Sequence, residues 1–114
     1  MAARRYDLWD DRYAIRRGMP WSLSVRCRQP DADRTPVDLT GAAIRFEVHD
    51  VRVESARSFP ASTVPETGWA EIVIGAADTA TLPGEARYRI VFTDSLGVES
   101  VLLYGRLAVL EATL

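Results

Sequence analysis

The sequence predicts an all-β protein, a small antiparallel immunoglobulin-like β-sandwich with one short helical turn. Three observations predict it. Apolar and polar residues alternate with period two in several short segments, as half-buried strands require. The stretches between them collect proline, aspartate and glycine, which set turn geometry. No segment carries the 3.6-residue periodicity of a long amphipathic helix. An open barrel is the alternative architecture, because the inter-sheet cysteine pair of antibody domains is missing and Cys27 stands alone.

The 114 residues suit a single hydrophobic core, and the 47% apolar and 26% charged fractions are those of a globular chain that needs no metal or disulfide staple. Residues 1–12 read as an N-terminal arm and residues 13–114 as a single β-sandwich domain. The arm is expected to lie outside the alternating core, so that its removal leaves the domain folded but impairs its assembly with partners. An ordinary first strand near Tyr13–Ile15 preceded by a frayed tail is the competing reading.

From Pro20 to Arg28, Trp21, Leu23, Val25 and Cys27 share one face and Ser22, Ser24, Arg26 and Arg28 the other, which makes a half-buried strand. Residues 29–36 form a loop. Ala42, Ile44, Phe46 and Val48 alternate with Ala43, Arg45, Glu47 and His49 in a second strand, with a continuation expected through Val51 and Val53. Residues 55–68, broken by Pro60 and Pro65, read as a surface loop with one extended segment.

Trp69–Ile74 is a short β-branched strand, followed by a helical turn over residues 78–82 that Asp78 would cap and Pro83 and Gly84 would stop. Residues 87–94 resume alternation with Tyr88, Ile90 and Phe92 inward. Asp94–Gly97 has hairpin-loop composition, and Gly97 can take positive φ. In the last strand, residues 98–110, alternation fails. Val101, Leu103, Leu107 and Val109 face one way and Leu102, Tyr104, Ala108 and Leu110 the other. Such a strand is either central in a sandwich or covered by another chain. A bulge at Gly105 that switches the inward face explains it as well.

Composition narrows the function. All 14 basic residues are arginine, the 16 acidic residues bring the formal net charge to −2, and both signs mix along the chain, so nucleic acid is not the expected partner. There is no apolar run of the length that spans a bilayer, and the first residues lack the apolar stretch of a signal peptide, so no membrane partner is expected and the chain reads as made and kept inside a cell. No cofactor is expected either.

The residues of catalysis are sparse. His49, the single histidine, lies on a polar strand face and reads as a solvated residue, while Cys27 reads as an inert buried thiol. Asp31 and Asp33 form a D-x-D better explained as turn stabilisers than as calcium ligands. The chain is therefore read as a protein without enzymatic activity.

Partner-seeking surfaces remain. The arm combines Arg4 and Arg5 with Tyr6, Leu8 and Trp9, the residue types enriched in binding hot spots. The last strand offers Val101, Leu103, Leu107 and Val109. Together these nine are the candidate partner-binding residues.

A set of segments in order also carries a family resemblance. Residues 13–18, with the pair Arg17-Gly18, open a strand, and Asp38-Leu39-Thr40-Gly41 precedes the next. Gly68 stands before Ile72-Val73-Ile74, Thr79 to Gly84 follows, then Tyr88, and Gly105-Arg106-Leu107-Ala108-Val109 closes. This order resembles the immunoglobulin-like domains of tailed-phage structural proteins, notably the N-terminal domain of baseplate upper proteins and related small tail or fibre-attachment proteins. Ala86 departs from it, where the family pattern often has tyrosine. The segments also have a scaffold explanation, since Asp38 and Thr40 can cap a turn for which Gly41 supplies positive φ.

The resemblance implies a non-enzymatic virion component, made in the host cytoplasm, that docks on other virion structural proteins in a symmetric multi-copy assembly. A capsid decoration protein is one alternative. A glycan or cell-surface binding module, with Trp9 or Trp69 as stacking platform, is another.

Overall fold

A computed structural model describes residues 3–9, 12–29 and 32–111. In chain order the strands are β1 (Arg4–Arg5), β2 (Ile15–Arg16), β3 (Trp21–Arg26), β4 (Ala43–Asp50), β5 (Ser55–Pro60), β6 (Ser62–Val64), β7 (Trp69–Ile74), β8 (Glu85–Thr93) and β9 (Glu99–Leu110). A 3-10 turn spans Pro65–Thr67, and one short helix, α1, spans Ala76–Thr79. The larger sheet runs β1-β9-β8-β4-β5 with β2 also on β9, and the smaller runs β3-β7-β6. Two such sheets, with β9-β8-β4-β5 in one and β3-β7-β6 in the other, make an immunoglobulin-like sandwich.

Alternation decides which side chains meet between the sheets. Phe46 from β4 and Ile90 from β8 face Ile72 and Ile74 from β7, with Ile15, Leu39, Leu82 and Leu107 closing the ends, and all are almost fully buried. The Phe46 ring lies 5.4 Å from Tyr88 and 5.2 Å from Trp21, whose indole N–H donates to the Tyr13 carbonyl at 3.0 Å. Trp21 thus satisfies its polar edge where its ring leaves water.

The turns follow their expected chemistry. Asp38 Oδ1 accepts from the Thr40 N–H at 2.9 Å and from its hydroxyl at 2.7 Å, and Gly41 takes φ +75°. Asp94 Oδ1 accepts from the N–H groups of Leu96 and Val98, and Gly97 takes φ +84°.

Several expectations are corrected. The segment read as a loop holds β5, the 3-10 turn and β6. β5 lies at the edge of the larger sheet and β6 at the edge of the smaller, so the chain changes sheets at Ala61. An edge strand tolerates Pro60 because the missing N–H has no ladder partner to lose. β4 stops at Asp50, since residues 51–54 turn back with Glu54 at φ 52° and Val53 in solvent. The helix begins earlier than expected, at Ala76, with Gly75 as its N-cap and no side-chain cap. Asp78 instead pairs with Arg57 at 2.8 Å. Buried Thr79 ties the helix to the Gly18 N–H at 3.1 Å and the Met19 carbonyl at 2.9 Å.

The arm is the largest correction. β1, β2 and Leu8 pair with β9 in parallel, at Leu103–Tyr104, Val109–Leu110 and Leu107 respectively, so the sandwich is not purely antiparallel. Leu8 is 2% exposed and belongs to the core. The described part of residues 1–12 is therefore an edge of the domain, while Asp10 and Asp11 lie outside the described residues.

Candidate functional site

β9 is central, between β8 and the N-terminal strands, and the chain itself covers Leu107, Ala108 and Val109, while Tyr104 and Leu110 stay exposed. Leu107 is 0% and Val109 6% exposed, both in the core. With Leu8 they leave the set of candidate partner-binding residues, for their apolar area is already covered by their own sandwich. Val101 and Leu103 are half-buried, while Arg4, Arg5, Tyr6 and Trp9 are exposed. The irregularity in β9 sits at Leu102, skipped between the pairs Ile90–Leu103 and Val91–Val101, and not at Gly105.

Gly105 has a different task. A Cβ there would lie 2.6 Å from the Tyr6 carbonyl oxygen and 2.7 Å from Asp7 Oδ1. The N-terminal segment crosses β9 so closely that no side chain fits. The Tyr6 carbonyl accepts from the buried Tyr88 hydroxyl, and Asp7 Oδ1 accepts from the Arg106 N–H at 2.9 Å. A carboxylate thus stands in for a backbone carbonyl at this step of the ladder. The Arg106 N–H, aided by the charge of Arg5, holds the Asp7 carboxyl below the usual carboxylate range. Burial, with the nearby Asp7 charge, pushes the Tyr88 phenol well up, so it stays a donor.

This crossing places Trp9 at the rim of the outer face of the larger sheet. Register builds that face in two rows. One runs Glu47, Arg89, Tyr104 and Arg5 across β4, β8, β9 and β1. The next runs His49, Arg87 and Arg106 across β4, β8 and β9. The Arg106 guanidinium lies 4.1 Å from the Trp9 ring centroid, a cation–π stack, while Trp9 stays 51% exposed. These residues border an open groove of about 820 Å³. His49 lines it half-buried rather than fully solvated.

Charges on this face are unevenly matched. Glu47, 7% exposed, accepts from Arg45 Nε at 2.7 Å and from Arg89 Nε. Burial acts most strongly on its carboxyl and pushes its pKa up, but the two guanidiniums together outweigh it and hold the group below its ordinary value. Arg45 also reaches Glu99 on β9, and Arg52 takes Glu85 at 3.2 Å. Arg87 has no carboxylate partner among the described residues. Guanidiniums stay charged and donate in a rigid fork, so this arrangement can bind an anion or stack on an aromatic face.

Other candidate chemistry is dispersed. Cys27 is buried, which pushes its thiol up, and its N–H donates to the Gly68 carbonyl at 2.8 Å. Among the described residues, no three His, Cys, Asp or Glu side chains gather as a metal site, and Asp31 lies outside those residues. On the smaller sheet, Trp69 is exposed with the Arg26 guanidinium 5.4 Å from its ring. No protein-family model matches the chain, and no curated protein matches its sequence.

Of the residues singled out from the sequence, Trp9 and Arg5 line this groove, whereas Arg87, Arg89, Tyr104 and Arg106, which line it too, were not among them. Period-two alternation does put Arg87 and Arg89 opposite Tyr88 and Ile90. What it lacks is the register that sets Arg87 beside Arg106.

Proposed function

We propose that the chain is a non-enzymatic structural domain that works by docking the outer face of its larger sheet on a neighbouring subunit. The observation that carries this is Trp9, half in water and stacked on Arg106, at the rim of an open groove that also holds Arg87 and Tyr104. Arginine and large aromatics desolvate much area while retaining polar handles, and interfaces concentrate them for that reason. The order of segments that resembles tailed-phage immunoglobulin-like domains supports a virion setting, in a tail, baseplate, fibre-attachment or decoration role, with symmetric copies around the particle.

Mass spectrometry of purified particles encoded alongside this chain tests the setting. Stoichiometric copies in the particle are the expected result; presence in the lysate but never in particles overturns the virion role. Trp9→Ala tests the face: incorporation should fall at least tenfold while thermal stability is retained, and unchanged incorporation overturns docking through this groove.

A further inference from the structure

The groove is too positive for a chain of net charge −2. Among the described residues, its lining places Arg5, Arg87, Arg89 and Arg106 against Glu47 and Glu85. Both carboxylates are engaged, Glu47 by Arg45 and Arg89 and Glu85 by Arg52. Arg87 and Arg106 are then direct cross-strand neighbours on one face. Like charges in that position repel, and the free domain bears the cost.

We infer that this groove receives an acidic, extended segment of the neighbouring protein, with a carboxylate seated between Arg87 and Arg106 and an apolar or aromatic side chain against the open face of Trp9. The inference rests on the docking reading and names its partner chemistry. A carboxylate bridging two guanidinium forks turns the repulsion into paired charge-assisted hydrogen bonds. From β4 to β1 the face spans three strand spacings, roughly 14 Å, which four or five extended residues cross. A long polyanion fits worse, because Glu85 lines the groove and Asp7 lies beside Arg5 at its N-terminal edge.

The test uses the purified full chain, isotope-labelled, titrated with the capped peptide Asp-Glu-Trp-Glu and with its Asn-Gln-Trp-Gln counterpart, while amide shifts are followed by NMR at low salt. The acidic peptide should move the amides of residues 85–89 and 104–106 and bind at least tenfold more tightly than the neutral one. Arg87→Gln and Arg106→Gln should each weaken it about tenfold, and Arg87→Gln should raise the melting temperature of the free domain by about 1–4 °C as the repulsion goes. Equal binding of the two peptides, shifts elsewhere, or affinity unchanged in the double variant overturns the inference. So does tighter binding of a ten-nucleotide thymidine oligomer than of the peptide. If particle incorporation survives the double arginine variant yet is lost in Trp9→Ala, the acidic partner falls while docking stands; if both variants incorporate normally, docking falls too.

Discussion

Gly105, Tyr88 and Asp7 together decide how closely the N-terminal segment lies on β9. With a Cβ position 2.6 Å from the Tyr6 carbonyl, Gly105→Ala must push backbone against backbone. We expect a loss of about 1–3 kcal/mol and a lower melting temperature, the ordinary cost of overpacking. Tyr88→Phe keeps the ring stack on Phe46 but removes the donor to Tyr6, and should cost about 1–2 kcal/mol in denaturant titrations. Acid acts at the same place. Asp7 has a folded pKa below its unfolded one, so its contribution to stability is present above about pH 4 and is lost as pH falls through the lower folded value. Asp7→Asn retains an oxygen for the Arg106 N–H but removes that titration. Its stability profile below about pH 4 should be flatter than that of the parent, and identical profiles would refute the assignment. A sequence shows that position 105 is glycine. The reason, the Tyr6 carbonyl brought in from the far end of the chain, exists only once register is set.

At the scale of elements, the strands legible in the sequence are those that bury one face. β3, β4 and β8 write the core in period two, and turn residues such as Asp38, Gly41 and Asp94 mark their ends. β5 and β6 were illegible because they are edges. Phe59 is the buried residue of Ser55–Pro60, Arg57 is half-buried, and Ser55, Ala56, Ser58 and Pro60 face water, so a single apolar side chain is too little alternation to read as a strand. β1 and β2 were illegible for another reason, since each has two residues and owes its pairing to β9. The aromatic and arginine content of residues 4–9 signalled a partner, and for Leu8 that partner is the chain's own core. Removing residues 1–9 should therefore destabilise the domain rather than merely free it from its assembly. Leu8→Ala alone should cost about 2–5 kcal/mol by calorimetry or denaturant titration. A truncated chain with an unchanged melting temperature would restore the idea of a separable arm.

For the whole molecule, the outer face of the larger sheet gathers residues from β4, β8, β9 and the N-terminal segment, so the candidate site depends on tertiary register and no local stretch of sequence could display it. Light scattering across a concentration series distinguishes its modes of use. A chain that stays monomeric reserves the groove for a different protein; a ring or trimer that dissociates in Trp9→Ala would place the groove between copies. The parallel lie of β1 and β2 on β9 has a mechanical consequence as well. Tension applied between Ala3 and Glu111 drags the N-terminal strands and β9 in opposite senses along their common axis. The bonds from Tyr6 N–H to Tyr104, Leu8 N–H to Arg106, Ala108 N–H to Leu8 and Arg17 N–H to Leu110 are then loaded in shear together rather than peeled apart one at a time. The domain should give way at high force in single-molecule pulling, and Gly105→Ala, which loosens the crossing, should lower that force by raising the unfolding rate.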